Sequence, residues 1–144
     1  ERLHSQFEAI NSGTQYRIVR YGNVLYSTGS VLCKWKDLIK EGNEVIITDG
    51  DATRFFWTVE QALDLIEDCM KNAVDTKPYC TKMKSMTMGN LLQAMIEKYS
   101  KGQNISIKTI GLQPGENLHE KVMEDGLSSN ECEQYTVENI KKLI

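Results

Sequence analysis

Short β-branched and aromatic runs alternate along this chain with helical stretches that carry their own start and stop signals. No other feature restricts the fold as much, because such a chain buries both element types best in an α/β architecture. Ser30 opens an amphipathic stretch over 31–41, with Leu32, Trp35, Leu38 and Ile39 on one side and Lys34, Lys36 and Lys40 around the rest, and Gly42-Asn43 supplies a stop. Val45-Ile46-Ile47-Thr48 reads as a strand, Asp49-Gly50-Asp51 as a turn, and Phe55-Phe56-Trp57 as a second extended run. Thr58-x-x-Gln61 has the spacing of a capping box, and the helix beyond it is expected to bury Val59, Ala62, Leu63, Ile66 and Met70. Further on, the pattern predicts a short strand at 78–81, a helix from Ser85 or Thr87 to 99 and a half-buried strand at 105–110. Leu91, Leu92, Met95 and Ile96 form the inner face of that helix, and Met83, Met86 and Met88 read as gap-filling side chains. Pro114-Gly115 is expected to turn into a helix over 116–123, with a loop at 126–130 and a last short helix over 137–144.

The first residues are helical in pattern, with Leu3, Phe7 and Ile10 on one face, yet no capping residue or initiator Met precedes them. Asn11-Ser12-Gly13 reads as the turn that ends this helix, and an apolar strand over 16–20 follows. The uncapped start reads as a piece of a longer protein. Its apolar face, left uncovered, is expected to drive self-association. The strand runs into Arg20-Tyr21-Gly22-Asn23-Val24, and ligands of α/β proteins sit beyond the carboxyl ends of strands.

Composition removes several function classes. A net charge of -3 speaks against nonspecific nucleic-acid binding, which needs a dense basic face. No apolar run reaches the length of a membrane span, and no signal peptide is recognisable, so a cytoplasmic setting is expected. Cys33, Cys69, Cys80 and Cys132 are scattered and the two histidines lie far apart, which reads as free thiols and no zinc site.

Three runs, in this order, resemble one family. They are Arg20-Tyr21-Gly22-Asn23-Val24 with Ser27-x-Gly29-Ser30-Val31; Ile47-Thr48-Asp49 with Thr53-Arg54-Phe55 and Thr58-x-Glu60-x-Ala62; and Gly111-Leu112-x-Pro114-Gly115-Glu116-x-Leu118-His119-Glu120. Over roughly 1–124 the chain resembles the C-terminal half of the polysaccharide-biosynthesis dehydratases, UDP-N-acetylglucosamine 4,6-dehydratases above all, within the extended short-chain dehydrogenase/reductases. The resemblance implies an α/β fold: the C-terminal part of a Rossmann-type NAD(P)-binding domain plus a small α/β substrate-binding domain. Residues 1–26 would be the remnant of the Rossmann domain, 27–125 the nucleotide-sugar domain and 126–144 a tail. It also implies NAD or NADP as cofactor, a nucleotide-sugar substrate and a homo-oligomer. The family's Gly-x-x-Gly-x-x-Gly turn and Tyr-x-x-x-Lys pair do not occur here, so the chain alone is expected to be inactive. A 4-epimerase of the same superfamily and a non-catalytic sugar-nucleotide-binding or assembly module remain the alternatives.

The resemblance assigns roles residue by residue. Tyr21 and Gly22 would approach the nicotinamide and Asn23 the sugar diphosphate; without the resemblance, the three are a simple turn. Arg54 presents a permanently charged planar fork suited to a diphosphate or uridine, or else is a surface Arg on an edge strand. Glu116 is a hydroxyl contact to the nucleotide or a carboxylate favoured by a helix dipole, and Ser30 is a ligand contact or a helix cap. His119 has no Asp or Cys partner nearby in the sequence and reads as structural. Many relatives carry Arg at the position of Thr28 and a basic residue at that of Gln113, so fewer cations would face a diphosphate here.

Overall fold

A computed structural model describes residues 1–10 and 13–144. Its elements are α1 (Arg2–Ala9), β1 (Ile18–Val19), β2 (Asn23–Val24), α2 (Val31–Glu41), β3 (Val45–Ile47), β4 (Thr53–Trp57), α3 (Val59–Asn72), β5 (Pro78–Tyr79), β6 (Ser85–Thr87), α4 (Met88–Tyr99), β7 (Ile107–Thr109) and α5 (Val137–Leu143). The strands form three small groups: β1 parallel to β5, β3 parallel to β7, and β2-β4-β6 with β4 parallel to β2 and antiparallel to β6.

The caps that set the helix boundaries are legible residue by residue. Gly42 adopts the left-handed conformation, φ 73°, and closes α2 through bonds back to Leu38 and Ile39. Thr58 and Gln61 form the reciprocal capping box of α3. Thr87 caps α4 by accepting from Asn90 N, and Thr136 caps α5 by accepting from Asn139 N. The core lies between α2, α4, α5 and β3, where Leu32, Trp35, Ile39, Val45, Leu91, Leu92, Met95 and Ile140 are buried together. The Trp35 indole N–H donates to Ile46 O at 3.0 Å and ties α2 to β3.

The structure departs from the pattern in four places. Residues 116–123 form no helix: Gly115 is left-handed at φ 86°, Leu118 O accepts from Thr53 N at 2.9 Å, and His119 bridges to Thr53, so β4 recruits the segment. The α3 core face is Ala62, Leu65 and Cys69, while Val59, Leu63 and Met70 are exposed. That helix is apolar on two sides, and only one packs on the neighbouring β1 and β4. The strand at 105–110 shortens to β7, which is exposed throughout, and the apolar run at 16–20 shortens to β1. Asn11 and Ser12, read as part of a turn, lie outside the described residues. Leu3 and Phe7 on α1, and Ile10 just past its end, are exposed.

Candidate functional site

The site is built where β2 lies against β4, with Asn23 opposite Phe56 and Val24 opposite Trp57. The two strands approach closely because Gly22 has no side chain: a Cβ there would lie 2.5 Å from Phe55 Cβ and 2.6 Å from Phe55 O. Gly22 thus makes a close backbone approach to β4. Past β2 the chain bonds to β4 again, Leu25 N to Trp57 O at 2.8 Å, then turns into α2.

A cavity of about 450 Å³ opens between these strands, α2, β3 and the 114–116 turn. Asn23, Ser30, Arg54 and Glu116 all line it, with Ser27 and Thr48 as further polar groups and Trp35, Ile46, Phe56 and Met88 as apolar ones. Tyr21 and Gly22 line a smaller neighbouring cavity of about 340 Å³ with Asn23, Asn117, Glu120 and Lys121. Asn23 is the residue the two share. A larger cavity, about 670 Å³, lies between 78–84 and 122–133 and takes in none of the candidate site residues Tyr21, Gly22, Asn23, Ser30, Arg54 and Glu116.

Arg54 is the centre of the charged network. Its side chain is only 13% exposed. Nη1 donates to Thr53 O at 2.9 Å and Leu118 O at 3.0 Å, Nη2 donates to Glu116 Oε1 at 3.2 Å, and Nε lies 3.5 Å from Glu120 Oε1. Of the five guanidinium N–H groups, one on Nη2 is left without a partner in this set. Glu116 stands at a turn and not at a helix start, so the helix-dipole reading of it does not hold. Its carboxylate accepts from Thr48 Oγ1 at 3.0 Å and from Gln113 N at 3.2 Å as well as from Arg54.

Ser30 sits at the N-cap position of α2 but its side chain caps nothing; its hydroxyl is directed to Cys33 Sγ at 3.6 Å. Ser30, Val31 and Leu32, at the start of α2, line the cavity, and helix N-termini favour anions. Glu120 and Thr48 belong to the site although the sequence singled out neither as a site residue. Both lie in the quoted runs, but Glu120 reaches the network only because residues 116–120 are extended. His119 Nδ1 bonds to Thr53 Oγ1 at 2.8 Å, and Thr53 Oγ1 in turn lies 2.6 Å from Ser129 Oγ, a buried structural chain. Burial pushes the Cys69, Cys80 and Cys132 thiols up, and all four cysteines are free. Among the described residues no helix is long and apolar enough to cross a membrane.

Comparison with known proteins fits this arrangement. The polysaccharide biosynthesis protein family matches residues 1–142, and the chain belongs to that family. An uncharacterized membrane protein of Methanocaldococcus jannaschii is 37% identical over 115 residues, 76% of this chain and 34% of that protein. The inverting UDP-N-acetylglucosamine 4,6-dehydratase of Campylobacter jejuni (strain 81-176) is 34% identical over 128 residues, 87% of this chain and 36% of the enzyme. Pen from Bacillus thuringiensis superposes with a TM-score of 0.85 at 29% identity, over 99% of this chain and 53% of Pen. A Thermus thermophilus UDP-glucose 4-epimerase in complex with NAD superposes with a TM-score of 0.64 at 13% identity, over 99% of this chain and 49% of the epimerase. That last likeness concerns the fold alone, which is the Rossmann-type α/β fold of these epimerases. The chain spans about a third of the length of the curated relatives it matches.

Proposed function

We propose that the chain supplies the substrate-binding wall of an NAD(P)-dependent nucleotide-sugar 4,6-dehydratase of polysaccharide biosynthesis, with UDP-N-acetylglucosamine or a close analogue as substrate. The observation that carries this reading is the convergence of Asn23, Ser30, Arg54 and Glu116 on one cavity. These residues lie far apart in the sequence and on different elements. The volume, about 450 Å³, is in the range of small-molecule sites. Arg54 on one side and the open N-terminus of α2 on the other offer positive potential to a diphosphate. Glu116 and Asn23 Oδ1 offer acceptors to hydroxyl and acetamido N–H groups, the Asn23 amide N–H groups being held by Phe55 O and Glu120.

Residues 1–26 then form the edge of the dinucleotide-binding domain and 27–125 the nucleotide-sugar domain; residues 126–144, expected as a tail, pack into its core through Ile140 and Ser129. Tyr21, 42% exposed beside the smaller cavity, fits one wall of a nicotinamide site; Gly22 holds the strand that presents it. A bound NAD or NADP supplies the hydride chemistry. The residues of this chain bind the nucleotide sugar and orient it, and acid–base groups beyond them complete the reaction. Alone the chain binds and does not turn over. The enzyme works in the cytoplasm as a homo-oligomer.

The test has two arms. Calorimetric titration of the chain with UDP-N-acetylglucosamine, UDP and free N-acetylglucosamine should show binding of the two nucleotides, weakened about tenfold to a hundredfold by Arg54→Ala. The complete polypeptide, supplied with NAD or NADP and the sugar nucleotide, should give a 4-keto product that has lost one water, read by mass spectrometry. An isomer of unchanged mass would favour a 4-epimerase, whose fold the chain shares. Binding without turnover would favour an assembly module, and no binding would refute the reading.

A further inference from the structure

Glu120 stands behind the substrate cavity and holds two of its lining residues at once. Its carboxylate accepts from Asn23 Nδ2 at 3.2 Å to each oxygen and from Phe55 N at 3.1 Å, and it lies 3.5 Å from Arg54 Nε. Its own position is fixed by the main chain. Glu120 N donates to Ser129 Oγ at 2.8 Å, Ser129 N donates to Glu120 O at 2.8 Å, and Ser129 is wholly buried against Thr53.

The two carboxylates on Arg54 are placed differently. Glu116 lines the substrate cavity and holds one of the two Nη2 N–H groups of Arg54, so an anion that takes both must displace it. Glu120 faces the smaller cavity beside Tyr21 and Gly22 and does not line the larger one. A half-buried guanidinium that lost every acid partner would turn toward solvent or toward other acceptors. Glu120 keeps Arg54 paired and aimed while Glu116 lets go. The same carboxylate, together with Phe55 O at 3.1 Å, takes the amide N–H groups of Asn23 and so orients its Oδ1, and the acceptor of β2 and the cation of β4 share one carboxylate.

We propose that Glu120 is a positioning residue that presents Arg54 and Asn23 to the nucleotide sugar as a single unit and touches no substrate itself. This rests on the nucleotide-sugar reading above. Because Glu120 acts through Arg54 and Asn23, its removal and theirs are coupled, and their effects on binding do not multiply.

The experiment measures kcat, KM and Tm on the complete polypeptide with UDP-N-acetylglucosamine, for Glu120→Ala, Glu120→Gln, Arg54→Ala, Asn23→Ala and the double variants of Glu120 with each partner. Glu120→Ala is expected to raise KM about tenfold or more, with a smaller change in kcat. Glu120→Gln keeps an acceptor oxygen and loses the charge, and it should recover part of that KM. In the Arg54→Ala background, Glu120→Ala should add less than about twofold. A carboxylate that only braces the fold would lower Tm and give the same fold-change in every background. The proposal is overturned by an unchanged KM in a folded Glu120→Ala protein, or by losses that multiply in full. If Glu120→Ala does not fold, the Glu120→Gln and Arg54→Ala cycle decides by the same criterion. A wild-type polypeptide that neither binds nor converts a nucleotide sugar overturns the functional reading and this one together. An active wild type indifferent to Glu120 overturns the positioning role alone.

Discussion

Gly22 cannot carry a side chain, and the penalty for giving it one can be worked from the structure. A Cβ at this position would meet Phe55 Cβ at 2.5 Å, Phe55 O at 2.6 Å and Phe55 C at 2.8 Å. Carbon atoms pack best at about 3.5–4.0 Å, so the overlap is about 1 Å. The atoms struck are the backbone of β4 and the root of a side chain, which no rotamer change can move. Relief requires β2 and β4 to part, against their pairing and the bond from Leu25 N to Trp57 O. Overpacking costs about 1–3 kcal/mol, and each weakened hydrogen bond adds about 1 kcal/mol. Gly22→Ala is therefore expected to destabilise by about 3 kcal/mol. At about 2–4 °C per kcal/mol for a domain of this size, Tm should fall by about 6–12 °C. Gly29→Ala is the comparator. Its Cβ would meet nothing within 4 Å, but its φ of +76° is left-handed, so only a conformational cost of about 1–2 kcal/mol applies. Thermal and urea unfolding of both variants test the ranking. A Gly22→Ala protein within about 0.5 kcal/mol of wild type, or one more stable than Gly29→Ala, would refute the steric argument.

Three further outcomes are expected. Trp57 carries a buried indole N–H with no partner among the described residues, so Trp57→Phe should leave urea stability unchanged or raise it by up to about 1 kcal/mol, and a large loss would show that the group is satisfied in solution. The apolar residues exposed on α1 and α3, Leu3, Phe7, Leu63 and Met70, should make the isolated chain self-associate; a clean monomer by sedimentation that binds no hydrophobic dye would contradict this. Glu97 is held below the usual carboxylate range first by its bond to Lys141 and then by Gln93. A depressed acid stabilises the fold above its unfolded pKa and loses that contribution as pH falls through its folded one, so Glu97→Gln should flatten the acid side of the stability–pH curve, seen by unfolding at stepped pH.

Much of the fold was legible because the residues that start and stop its helices act locally. Thr58 with Gln61, Thr87 and Gly42 do their work within a turn of the backbone, and α2, α3 and α4 begin and end about where those residues stand. The β1, β2 and β7 pairings were not legible at their true lengths, since pairing depends on a distant partner. The inner face of α3 was misread for the same reason: two apolar stripes compete, and the choice is made by β1 and β4. At the site, Asn23, Ser30, Arg54 and Glu116 were found through quoted runs, and the fold brings them to one cavity. Glu120 was missed because the expected helix over 116–123 gave no reason for it to reach Asn23. Only the Gly115 turn, φ 86°, and the recruitment of Leu118 by Thr53 make that reach possible.

The partners that Arg54 already holds give the cavity a rule of admission. Four protein groups hold this guanidinium and one Nη2 N–H is left over, so on the proposed reading an anion that takes both Nη2 N–H groups replaces Glu116. A lone small anion can offer Arg54 no more than Glu116 does, and it leaves Glu116 with a carboxylate to rehouse. A visitor bearing both an anion and neighbouring hydroxyls compensates both losers of the exchange in a single step. On the proposed reading, discrimination between whole nucleotide sugars and bare phosphate would rest on this resting state, in which Glu116 is a competitor that a bifunctional ligand satisfies best.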